Sequence, residues 1–220
     1  NAKKVLEQAK NQGVAGDNLN VLKAQLTSTK KQETAGRTSP SQQELTNLLE
    51  HYQSGQYTNA EKLAVSITEQ FPTHPFAWKV LGAVLKQTGR VTESLTALQK
   101  SVQLAPQDAE AHSNLGITLK ELGRLDEAEA SYTQAIALKP DYPEALSNLG
   151  NTLQELGRLD EAEASCRQAI ALKPDYAEAH CNLGNTLQKL RRLDEAEASS
   201  SHAITLKPGF AEAHSNLGVT

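Results

Sequence analysis

Asparagine recurs along this chain at one interval: Asn114, Asn148, Asn182 and Asn216 stand 34 residues apart. Asn151 and Asn185 repeat beside them at the same interval. A primary amide carries both a donor and an acceptor, so it can pair with a peptide backbone whatever the side-chain sequence. A regular row of such amides would grip an extended chain, and these six residues are the candidate peptide-binding positions. Lys79, Lys86 and Lys120 have a spacing that would suit a clamp for a C-terminal carboxylate. Their pattern is looser, and they read better as solvated lysines. His112, His180 and His214 share one place in the repeat, with Leu146 interrupting them. Lying 34 or more residues apart, they do not make a ligand cluster and read as packing or surface residues. The runs Asp126–Glu129, Asp160–Glu163 and Asp194–Glu197 look like acids at helix N-termini, where they favour the dipole, rather than paired catalytic carboxylates.

The remaining chemistry is sparse. No GxSxG, P-loop, HExxH or dinucleotide fingerprint occurs, so no catalytic residue, cofactor or metal is expected. Cys166 and Cys181 are too few for a disulfide framework and lack zinc-site spacing, so they read as reduced structural thiols. Basic and acidic residues are mixed, 22 against 26, for a net charge of -4. That balance gives no basic footprint for nucleic acid. No apolar run of about 18 residues is present, so no membrane span is expected. No secretory segment is visible either, and the reading for location is cytoplasmic. The chain opens on Asn1 and contains no Met, so it reads as part of a longer protein.

The elements that position these residues repeat with them. Ala109 to Tyr142 reads AEAHSNLGITLKELGRLDEAEASYTQAIALKPDY, and the block from Pro143 matches it at 28 of 34 positions. The block from Ala177 matches the one from Pro143 at 23 of 34. The register extends back with weaker identity, giving repeats at 41–74, 75–108, 109–142, 143–176 and 177–210, with a partial copy at 211–220.

Within Ala109–Tyr142, Ala111, Leu115, Leu119 and Leu122 fall at helical spacing. Gly123 then marks a turn. Leu125, Ala128, Tyr132, Ala135 and Leu138 form a second helical face, which Lys139-Pro140 ends because proline lacks the donor to continue. Asp141 with Glu144, and Asp175 with Glu178, have the spacing of a capping box. Gly116, Ala128 and Ala135, with their copies Gly150, Ala162, Ala169 and Gly184, Ala196, Ala203, sit where two helices must approach closely. One helix pair cannot bury both its faces, so stacking must supply the core. A chain with three Phe, one Trp and many Ala and Leu suits that plan better than one deep core.

This 34-residue pattern resembles the tetratricopeptide repeat family over residues 41–220. The resemblance implies an all-α fold, a right-handed superhelical solenoid of antiparallel helix pairs, with the first helices lining a concave groove. It implies a scaffold that binds a polypeptide or peptide there. The string AEAHSNLG, at Ala109 and again at Ala211, is similar to repeats of the O-linked N-acetylglucosamine transferases. In that family an asparagine ladder binds substrate polypeptides, which implies the same for Asn114, Asn148, Asn182 and Asn216. Two other readings stay open. The segment is then the targeting arm of a larger glycosyltransferase or sulfotransferase, or a structural protein whose near-identical repeats associate head to tail.

Some positions depart from the pattern. Arg191 replaces the turn glycine of Gly123 and Gly157, at a cost of about 1 kcal/mol if the turn needs a positive φ. Tyr132 becomes Cys166 and then Ser200, which predicts weaker packing toward the C-terminus. Asn47-Leu48 stands where later repeats carry Leu-Gly, so the first pair should sit differently. Residues 1–40 fall outside the register. They read as a helical segment, with Leu19, Leu22 and Leu26 at helical spacing, followed by a polar linker over 33–41.

Overall fold

The computed structural model describes residues 37–218, which are helical without any strand. Of the N-terminal helical segment and linker read over residues 1–40, residues 1–36 lie outside the described residues. Eleven helices follow in order: α1 Gln42–Gln53, α2 Tyr57–Gln70, α3 Pro75–Gln87, α4 Val91–Leu104, α5 Ala109–Glu121 and α6 Leu125–Leu138. Then come α7 Pro143–Glu155, α8 Leu159–Leu172, α9 Ala177–Lys189, α10 Leu193–Leu206 and α11 Ala211–Leu217. Each repeat is one pair, and the boundaries track the 34-residue period.

The turn inside each repeat needs a left-handed residue. Gly55, Gly89, Gly123 and Gly157 take φ of 72, 79, 72 and 79°. Arg191 is forced into the same turn at φ 62°, where a Cβ crowds the following carbonyl. The chain keeps the turn because the stacked helices on either side dictate it.

The close approaches fall where the small residues do. A Cβ on Gly116 would lie 2.7 Å from Cε1 of Tyr132. One on Gly150 would lie 2.5 Å from the Cys166 Sγ, and one on Gly184 2.5 Å from the Ser200 Oγ. The expected weakening of packing from Tyr132 to Ser200 therefore does not appear as a gap. The facing residue is buried in all three pairs, Tyr132, Cys166 and Ser200 alike. Ala128, Ala135, Ala162, Ala169, Ala196 and Ala203 are all buried. In the first pair Leu48 is fully buried at the glycine position, and α1 meets α2 over less of its length than later pairs do.

Two capping expectations fail. The N-caps of α7 and α9 are Tyr142 and Tyr176, neither with a side-chain cap bond. Each helix starts one residue later than the box requires, with Pro143 or Ala177 at its first position. Asp141 and Asp175 thus stand outside the cap. A capping box does form at Ser41 and Glu44, and Asp108 caps α5 by accepting from the Ala111 N–H.

First helices touch one another along the stack, α3 with α5, α5 with α7, α7 with α9 and α9 with α11. Second helices pack chiefly between first helices, as α6 does with α5 and α7. The first helices thus form one continuous row, and the row carries the asparagines.

Candidate peptide-binding site

Asn114, Asn148, Asn182 and Asn216 lie on α5, α7, α9 and α11, all partly exposed. Asn151 and Asn185 stand one turn further along α7 and α9. The row is not uniform. The Asn182 Nδ2 donates across the repeat boundary to the Ser147 Oγ at 3.0 Å and its carbonyl at 3.3 Å. Asn151 donates to the Asn182 Oδ1 at 3.5 Å, Asn185 to Glu212 at 3.2 Å, and Asn216 to the Cys181 Sγ at 3.4 Å. Asn114 and Asn148 make no such bond between repeats among the described residues. The residue at the place of Ser147 is Lys79 two repeats earlier and Ser113 one repeat earlier, and Asn148 makes no bond to Ser113.

The three lysines are paired, neither solvated nor poised as a clamp. Lys79 contacts Glu110 at 2.6 Å and Asp108 at 3.0 Å, both beyond its own helix pair. Burial disfavours its ammonium, yet these carboxylates outweigh that and raise its pKa. Lys86 meets Glu121 at 3.4 Å, and Lys120 meets Glu155 at 2.9 Å. Each cation of the trio faces an acid about one repeat on, so none stands ready for a ligand carboxylate.

The acidic runs also do more than favour a dipole. Arg158 stands at the start of α8, binds Glu161 beside it at 2.5 Å and reaches back to Glu129 at 2.6 Å. Arg192 does the same with Glu195 at 2.6 Å and Glu163 at 2.7 Å. Arg90 spans Glu93 and Glu61 in the same way. Arg124 binds Glu127 alone of this pair of places, because Leu95 occupies the position of the distant acid. The signal lay in the sequence as an Arg every 34 residues with Glu three after and, except at Leu95, Glu 29 before.

The histidine position has a role as a staple. His112, His180 and His214 place Nε2 within 3.0, 2.9 and 2.8 Å of the carbonyl of the proline six residues earlier. Trp78 donates to Pro72 in the same way at 2.9 Å. Leu146 breaks the series. Nearby, Lys139, Lys173 and Lys207 lie 4.7 Å from the ring centres of Tyr142, Tyr176 and Phe210. These contacts stitch the turn between repeats. Cys166 and Cys181 are free and buried, and burial pushes both thiols up to about 12. No group of three or more metal-ligating side chains occurs among the described residues, and none of their helices is long and apolar enough to cross a membrane.

Paired helices in a 34-residue period, glycine turns and stacked first helices define a tetratricopeptide-repeat protein. The family model described as the Cilia and flagella-associated protein 70 C-terminal domain matches residues 23–217. The chain belongs to this repeat family. Its fold is shared by crystal structures of MamA, at 23% identity and TM-score 0.65, over 74% of this chain and 95% of that one. It is shared by YrrB, described as "a TPR protein with an unusual peptide-binding site", at 18% identity and TM-score 0.67, over 84% and 95%. TTC0263, a thermophilic TPR protein in Thermus thermophilus, aligns at 25% identity and TM-score 0.64, over 81% and 97%. No curated protein matches the sequence.

Proposed function

We propose that this chain is a protein-interaction scaffold whose row of first helices holds an extended polypeptide. The observation that carries the reading is the continuity of that row. Successive first helices touch, so Asn114, Asn148, Asn182 and Asn216 fall along one surface at one interval per repeat. Asn114 and Asn148 offer whole amides to a bound backbone. Asn182 and Asn216 already commit Nδ2 to the neighbouring repeat, and the Asn182 Oδ1 also accepts from Asn151, which leaves the Asn216 carbonyl oxygen to accept a backbone N–H group. The likeness of AEAHSNLG to the transferase repeats supports the same use, and so does the peptide-binding site named for YrrB.

Because Lys79, Lys86 and Lys120 are neutralised within the row, the ligand is gripped through its backbone rather than through a terminal carboxylate. Binding should therefore be the same for a peptide with a free or an amidated C-terminus. Fluorescence polarisation with a library of labelled extended peptides tests this. Asn114→Ala with Asn148→Ala should weaken capture at least tenfold, about 1.4 kcal/mol. Unchanged capture by a folded double variant would overturn the reading.

A further inference from the structure

The second repeat carries another groove, away from the asparagine row. It is a shallow, widely open cleft of about 610 Å³ between α3 and α4, lined by Trp78, Thr96, Gln99, Lys100, Val102 and Gln103. All but Trp78 lie on the second helix. Trp78 packs against the core cluster around Leu48 and Ala77 and stays partly exposed toward the cleft. Its Nε1 is bonded to the Pro72 carbonyl at 2.9 Å, so the ring is held in place before any ligand arrives.

The charge in this cleft differs from that of the cations around it. Lys79, Lys86 and Arg90 each contact a carboxylate. The Lys100 ammonium contacts the Gln103 side-chain oxygen at 3.1 Å, and no carboxylate partner is seen for it among the described residues. Gln99 is exposed beside it. A fixed aromatic wall, an unneutralised ammonium and amide side chains along one helix are the elements of a site for a short acidic segment with an apolar anchor.

The combination belongs to this repeat alone. At the place of Trp78 the later repeats have His112, Leu146, His180 and His214, and at the place of Lys100 they have Gln134, Gln168 and His202. A cleft of about 480 Å³ recurs three repeats on, beside His180 and His202. There the cation, Arg167, is already held by Glu163 and Glu195, so the electrostatic complement to an acid is missing.

We infer that the Trp78–Lys100 cleft is a second docking site, which takes a partner segment placing an apolar side chain on Trp78 and Val102 and a carboxylate on Lys100. Gln99 and Gln103 bond the backbone between them. The inference goes beyond the asparagine row and does not depend on it. The net charge of -4 works against an acidic ligand at long range. Screening within about 8 Å at physiological salt leaves the local ammonium in control.

Trp78 is the sole tryptophan, so its emission reports directly on the cleft. The blocked pentapeptide Ac-Glu-Leu-Phe-Asp-Glu-NH2 is titrated into the full chain, with a control peptide in which Lys replaces each acid. Emission should shift saturably with the acidic probe and not with the basic one. Lys100→Glu should weaken the acidic probe roughly tenfold or more, with the helical circular dichroism unchanged. Asn114→Ala with Asn148→Ala should leave this titration unaltered. An unmoved emission, equal response to both peptides, or equal affinity in Lys100→Glu would overturn the site. Loss of the response only in the asparagine double variant would place the binding on the inner row and equally overturn it.

Discussion

Gly116 and Tyr132 lie so close that a methyl group added to the glycine would sit 2.7 Å from the buried ring. Tyr132 is 1% exposed and has no room to turn aside. Gly116→Ala should therefore destabilise the chain by about 1–3 kcal/mol through overpacking, despite the better helix propensity of alanine. Gly184→Ala faces a serine hydroxyl that can rotate, with the Ala196 carbonyl at 3.3 Å. There the helix gain of about 1 kcal/mol from replacing glycine largely offsets the crowding. Urea denaturation of the two variants side by side checks the contrast.

Arg191 supplies the converse case. Its φ of 62° costs about 1–2 kcal/mol, while a glycine gives back about 0.5–1 kcal/mol of that as chain entropy. Arg191→Gly should raise stability by up to about 1 kcal/mol, and Gly157→Ala should lower it by a similar amount. Thermal melts of both variants read the two signs.

Asn182 and Asn114 should separate stability from binding. Asn182→Ala breaks the bonds to Ser147 across the repeat boundary and should cost about 1 kcal/mol. Asn114→Ala breaks no such bond and should leave the denaturation midpoint unchanged while weakening peptide capture. Equal loss of stability in both variants would contradict the geometry.

Acid should cost the first repeat stability at its N-terminal cap. The Arg37 guanidinium, 2.5 Å from the Glu44 carboxylate, is the main cause that lowers Glu44 to about 2. The folded pKa lies below the ordinary value of 4.5, so the stabilisation is present above about pH 4.5 and is lost as pH falls toward 2. Nuclear magnetic resonance titration of the Glu44 carboxyl should show the depressed midpoint, and Arg37→Ala should return it toward 4.5.

Both thiols should be inert in the folded chain. Cys166 and Cys181 are buried, with pKa values pushed up to about 12 mainly by burial. The thiolate is the reactive species, so alkylation at pH 8 should be slow for both until denaturant exposes them. Mass spectrometry of the pulse-labelled protein distinguishes the two cysteines.

Much of the architecture was legible because it is written once per repeat. The helix pairs, their turns and the close approach at Gly116, Gly150 and Gly184 follow from local rules of propensity, turn chemistry and small-residue packing, applied every 34 residues. The family follows from the same period. What sequence reasoning misjudged were relations between repeats. Lys79 reads alone as a solvated cation, and only the stack shows it against Glu110, 31 residues on. Four asparagines look equivalent in the sequence. The neighbours that set Asn182 and Asn216 apart from Asn114 come from a different helix, so only tertiary packing decides which amides are free. The period alone determined that the chain folds by repetition. Each partner choice, down to the unneutralised lysine beside Trp78, rests on side chains whose distances exist only once the helices stack.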